Sequence, residues 1–203
     1  MPRDLGYGYG PRAMSWLRKR WLLARHPHVE ITFSGPVYLG PGFSLHAPEA
    51  ATLTIGRGVE FRRGFRCELA PGATLTIGDD TKFTYDVLIQ CTTTIAIGKR
   101  CMFGQASAIF DGNHRFRDHT RPMLEQGYEL RPIVIADDAT VTTKCTIVAD
   151  IGTHSFVGAN AVVSRDLPAY VLAFGAPARP VDYYGPEGGE PPELATDRSD
   201  KSG

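Results

Sequence analysis

Six histidines could do acid–base chemistry, among them His114, set in the string Asp111-Gly112-Asn113-His114-Arg115-Phe116. A neutral imidazole titrates near physiological pH and can take the proton of a hydroxyl as that hydroxyl attacks a carbonyl. His119 follows at H-x4-H spacing, which also suits a pair of zinc ligands. A catalytic zinc normally needs three protein ligands, and no histidine occurs between His46 and His114 to act as a third, upstream one. His26, His28, His46 and His154 lie in no motif and read as structural or merely exposed. Arginine side chains carry planar forks that can meet phosphates, the alternative being a solvated surface charge. The cysteines are Cys67, Cys91, Cys101 and Cys145, with no C-x-x-C pair, so they read as reduced core thiols and not as a zinc or redox site.

These groups must be held by a scaffold, and the chain declares one through a beat of six. Branched apolar residues or Phe recur as Ile55–Phe61–Cys67, Ile77–Phe83–Ile89, Ile97–Phe103–Ile109, Ile135–Val141–Ile147 and Ile151–Val157–Val163. Neither a helix nor an ordinary strand has that period, but a coil of short strands joined by tight turns requires it. Ile31, Val37 and Phe43 extend the beat upstream, with Leu39-Gly40 offering a competing register. Gly follows the beat residue at Gly56, Gly78, Gly98, Gly104, Gly152 and Gly158, where a corner would use positive φ or close backbone approach. Cys101 and Cys145 fall four places after beat residues, in a small inward slot. Three flats in eighteen residues make a triangular coil with one continuous apolar column. Between Ile109 and Ile135 the step is 26 residues, so a long loop, residues 110–132, leaves the coil there.

The ends of such a spool need covers. Residues 12–25 read as a helix with Met14, Leu17, Trp21 and Ala24 on one face, expected to cap the first coil; a basic helix resting on a membrane surface is the lesser reading. From Gly185 the chain is rich in Pro, Gly and Glu and reads as a disordered tail. The expected organisation is a helical cap over 1–28, a β-helix over 29–182 and a tail over 183–203. With 203 residues and 22 basic against 22 acidic side chains, no overall field draws the chain to nucleic acid or membrane. No run is long enough for a transmembrane helix, and the N-terminal apolar run is too short for a secretory leader, which makes the cytoplasm the expected location.

Four segments together resemble the left-handed hexapeptide-repeat acyltransferases across about residues 30–182. They are the repeat itself, Asp111–Phe116 with Glu125-Gln126-Gly127, the run Ile151–Pro168, and Gly175-Ala176-Pro177-Ala178-Arg179. The sugar O-acetyltransferase branch, with its galactoside, maltose and polysaccharide enzymes, is the nearest in look. The resemblance implies a left-handed parallel β-helix of about five to six coils. It also implies acetyl-CoA as co-substrate and a homotrimer with active sites between neighbouring subunits.

The same resemblance puts the catalytic base on His114, attacking directly without an acyl-enzyme, and acyl-CoA contacts on Thr143, Ala159, Ser164, Arg165 and Arg179. Acceptor contacts fall on Asn113 and on Asp86, where the family usually has Asn; a carboxylate accepts but does not donate unless protonated. The usual W-I-G ahead of Thr143 reads Thr140-Val141-Thr142 here, which alters the groove wall. No metal is expected. The rival readings are a zinc enzyme resembling the gamma-class carbonic anhydrases, an N-acyltransferase on an amino sugar, and a scaffold with a decayed site.

Overall fold

The computed structural model describes residues 12–195. Short strands wind into three parallel sheets, the flats of a triangular coil. One face stacks Val29–Phe33, Ala51–Ile55, Thr74–Ile77, Thr94–Ile97 and Ile133–Ile135, extended by single bridges at Ile151 and Leu167. The second runs from Tyr38–Leu39 through Glu60–Phe61, Lys82–Phe83, Met102–Phe103, Thr140–Val141 and Phe156–Val157 to Val171–Gly175, closed by the antiparallel strand Ala178–Tyr183. The third stacks Ser44–His46, Arg66–Leu69, Leu88–Cys91, Ala108–Phe110, Thr146–Ile147 and Val162–Val163.

The beat residues are the stacking unit. Ile55, Ile77, Ile97, Ile135 and Ile151 lie in register down one face, and Phe61, Phe83, Phe103, Val141 and Val157 down the next. All are buried. The Phe61 and Phe83 rings stack at 5.0 Å and the Phe83 and Phe103 rings at 4.9 Å, so each coil meets a copy of its own side chain.

Two sequence expectations shift here. In the first coil, Phe33, Leu39 and Leu45 occupy the beat, paired with Ile55, Phe61 and Cys67, so Ile31, Val37 and Phe43 are two places out of phase. The reason is Gly40: a Cβ there would sit 2.6 Å from the Phe61 carbonyl oxygen, so only Leu39-Gly40 fits against the next turn. The glycines after the beat residues likewise serve close approach alone. At Gly104, for example, a Cβ would lie 2.4 Å from the Thr142 carbonyl carbon. Positive φ falls two places further on, at Gly58, Asp80, Arg100, Asp138, His154 and Tyr170 on one corner and at Gly64, Asp86, Ala106, Lys144 and Asn160 on another.

The N-terminal helix forms as expected over Arg12–Arg25, but it turns the other side inward. Ser15 and Leu22 are buried, while Met14, Leu17, Trp21 and Ala24 face solvent. Polar anchoring decides this orientation: the Leu39 N–H donates to Ser15 Oγ at 2.9 Å, and the Arg18 guanidinium donates to the Leu39 carbonyl at 2.9 Å. At the other end, Tyr183 still belongs to a strand, and Leu194 of the short helix Pro192–Ala195 packs on the core, so the segment read as tail is placed as far as Ala195. The rest of that expected tail, residues 196–203, lies outside the described residues, as do residues 1–11 of the expected cap. Among the described residues no helix is long and apolar enough to cross a membrane.

Candidate active site

The long loop leaves the third face after Ala108–Phe110 and returns at Ile133–Ile135. It is a two-stranded arm, Gly112–His114 running antiparallel to Tyr128–Leu130, with His114 opposite Tyr128. Its tip closes on Gln126, whose side-chain amide donates to the Asp118 and Arg121 carbonyls and accepts the Asp118 N–H at 3.0 Å. The Thr120 hydroxyl and N–H hold the Asp118 carboxyl below its usual range.

His114 stands exposed on this arm, its ring 4.4 Å from that of Tyr128 at an interplanar angle of 39°. Asn113 is exposed beside it, opposite Glu129. What fixes the imidazole is therefore the arm, and the arm is fixed at two feet. At the near foot, the carboxylate of Asp111, itself only 2% exposed, accepts the Thr92 N–H at 2.6 Å, the Thr93 N–H at 2.7 Å and the Thr93 hydroxyl at 3.0 Å. At the far foot, Arg131 donates to Asp166 at 2.6 Å and to Asp150 at 3.2 Å, while its N–H closes onto the Asp111 carbonyl at 2.8 Å.

The remaining sequence-selected residues divide between two corners. Thr143 and Ala159 sit one coil apart on the corner between the second and third faces, joined through the Asn160 N–H, which donates to the Thr143 carbonyl at 3.0 Å. Arg179 is exposed on the closing strand opposite Phe174, whose ring lies over Gly158. Asp86 occupies the same corner three coils earlier, exposed, with its carboxylate over Gly64. Ser164 and Arg165 are exposed on the other edge of the third face, beside the far foot of the arm, since the next residue is Asp166. One chain thus places His114, Ser164 and Arg165 at one edge and Thr143, Ala159, Arg179 and Asp86 at the other. The separation is a face of about five extended residues, roughly 16 Å.

The thiols are set apart from this surface. Burial, with the Asp111 carboxylate adding to it, pushes Cys91 up to about 12, and burial pushes Cys101 up to about 11. Cys67 and Cys145 are raised for the same first reason. All four are buried and protonated at neutral pH, so none is placed to act as a surface nucleophile. Among the described residues no three His, Cys, Asp or Glu side chains come together as a metal site. Sequence reasoning did not single out Tyr128 and Arg131, or the role of Asp111. Asp111 stands inside the quoted motif, but its partners, Thr92 and Thr93, are a whole coil away.

No protein-family model matches the chain. It is 35% identical over 169 residues, 82% of its length, to the probable acetyltransferase Rv3034c of Mycobacterium tuberculosis, and spans 55% of that relative, about half its length. A hexapeptide-repeat-containing acetyltransferase of Vibrio cholerae complexed with acetyl coenzyme A superposes with a TM-score of 0.57 at 24% identity, over 84% of this chain and 79% of that one. The Bacillus cereus N-acyltransferase AntD, in complex with dTDP and 3-hydroxybutyryl-CoA, superposes with a TM-score of 0.64 at 12% identity, over 89% and 93%. The fold is the left-handed parallel β-helix of hexapeptide-repeat proteins. Along its sequence the chain is similar to that mycobacterial acetyltransferase over most of its own length.

Proposed function

We propose that the chain is an acetyl-CoA-dependent O-acetyltransferase acting on a hydroxyl of a sugar or glycoconjugate, with His114 as general base. The observation that carries this reading is the exposed imidazole on a doubly anchored arm, in a chain whose thiols are all buried. The likeness to a probable acetyltransferase and to a neighbour holding acetyl coenzyme A supports the co-substrate. His114 takes the acceptor proton as its oxygen attacks the thioester carbonyl. The tetrahedral oxyanion collapses, the C–S bond breaks, and the imidazolium returns the proton to the coenzyme A thiolate. Backbone N–H groups at a coil corner are suited to receive the oxyanion.

In this reading Thr143, Ala159, Ser164, Arg165 and Arg179 hold acyl-CoA, and Asp86 and Asn113 hold the acceptor. The split of these groups between two edges supports a homotrimer, in which a neighbouring copy brings its arm to the far edge. A cytosolic co-substrate supports a cytoplasmic location. An amino acceptor is the second reading, favoured by the likeness to an N-acyltransferase bound to dTDP. The division into 1–28, 29–182 and 183–203 belongs to the same proposal, the last segment being placed in the structure as far as Ala195.

Acceptors carrying hydroxyl or amino groups are screened for coenzyme A release with a thiol reagent, and sedimentation gives the oligomeric state. Turnover on a sugar hydroxyl, lost in His114→Ala while coenzyme A still binds, is the expected result. Full turnover in that variant removes the general base. Stoichiometric zinc lost with His114 and His119 together overturns acyl transfer in favour of the metal reading, and failure to bind coenzyme A favours a decayed scaffold.

A further inference from the structure

The helix Arg12–Arg25 meets the first coil with its less apolar side. Ser15, Leu22 and the stem of Arg18 turn inward. Outward stand Met14, Trp16, Leu17, Trp21 and Leu23, between 43% and 59% exposed. A surface helix of a globular protein normally has this arrangement reversed. The helix also carries Arg12, Arg18, Lys19, Arg20 and Arg25 and no acidic residue, and Glu30 is the only acid from residue 12 to residue 48. The chain as a whole balances 22 against 22, so this end is a cationic pole on a neutral protein. Arg20 lies 5.2 Å from the Trp16 ring, a cation beside an aromatic on the outer surface.

A second copy is a poor occupant for this face. Across a twofold contact the exposed Arg20 and Arg25 would meet their own copies, with no acid on either helix to neutralise them. Apolar and aromatic side chains interleaved with Lys and Arg are instead the make-up of a helix lying in a lipid interface. There Trp rings sit at headgroup level and cations meet phosphates. We propose that the outward face of the Arg12–Arg25 helix rests on an anionic phospholipid surface. The contact uses the first-coil end, three coils from Ala108–Phe110, where the His114 arm leaves.

The chain contains two tryptophans, Trp16 and Trp21, so intrinsic tryptophan fluorescence reports on this helix alone. The full chain is titrated with vesicles of phosphatidylglycerol and phosphatidylcholine, and separately with phosphatidylcholine alone. The expected result is a blue shift and co-sedimentation with the anionic vesicles only, reversed by high salt. Arg20→Ser should weaken binding about five-fold, and Leu17→Ser should weaken it without altering the circular dichroism, because both side chains are solvent-facing. No spectral change with anionic vesicles overturns the proposal. So does a spectrum already blue-shifted without lipid that moves red on dilution, which would show a second copy covering the face.

Discussion

In the coil, each inward side chain rests on its own counterpart one turn away, as Phe61, Phe83 and Phe103 do at 4.9 to 5.0 Å. The arm over residues 111–132 has no inward side. Phe116, Met123, Leu124, Tyr128 and Leu130 are all exposed on it, and it keeps its place through Asp111 and Arg131 at its base. The coil derives its stability from apolar burial repeated many times. The arm derives its position from a few hydrogen bonds that no repetition backs up. Damage to the coil should therefore appear as lost stability, and damage to the arm as lost turnover in a protein that still folds.

The sharpest break in that division is His114→Ala. It should lower kcat by about 10²–10⁴-fold with an unchanged melting temperature, measured by steady-state coenzyme A release and thermal denaturation. Phe83→Ala should do the reverse, removing about 3–5 kcal/mol of stability by denaturant titration, because the cavity opens between two stacked rings. Asp111→Ala tests the boundary. Leaving the Thr92 and Thr93 N–H groups without their acceptor should cost about 1–3 kcal/mol, and kcat should fall more than KM. Asp111→Asn, which keeps one acceptor oxygen, should recover part of both. If Asp111→Ala lowers stability while kcat stays intact, the arm does not position the imidazole.

Much of this contrast is legible in the residues themselves, because a repeat advertises each inward position several times over. Ile77, Phe83 and Ile89 can be assigned without the structure, since Ile97, Phe103 and Ile109 say the same thing one turn later. The first coil is misread by two places because it has no earlier copy to check it and Leu39-Gly40 competes. The helix is misread because its apolar stripe is real but not the side that is anchored: Ser15 and Arg18 bond to Leu39, and no periodicity reveals a polar anchor. In the arm, His114 stands out through its motif. Tyr128 does not, because their contact depends on a hairpin register that joins residues fourteen apart.

Two smaller effects refine the comparison. On the proposed acyl-CoA contact, Arg179→Ala should raise the KM for acetyl-CoA about ten-fold with kcat little changed, since a phosphate contact contributes binding rather than chemistry. An unchanged KM removes that assignment. Arg131→Met should cost no more than about 1 kcal/mol of stability, because the Arg131 side chain and its partners Asp150 and Asp166 are 38% to 55% exposed. Any larger loss, read by denaturant titration, would show the far foot to be part of the coil's own framework.

The corner places with positive φ have a consequence for how this molecule can change. Arg100, Asp138, His154 and Tyr170 follow one another up a single edge, one per turn, at about the 4.8 Å spacing of paired strands. Arg100 grips Asp138 through two bonds of 2.6 Å, and the His154 ring lies flat against Tyr170 at 5.3 Å. Asp138 also meets the His154 ring at 3.5 Å, so the four side chains form one ladder, exposed or half-buried. The edge behaves like a line of movable type: one character can be reset, its neighbours adjust, and the page beneath stays as it was.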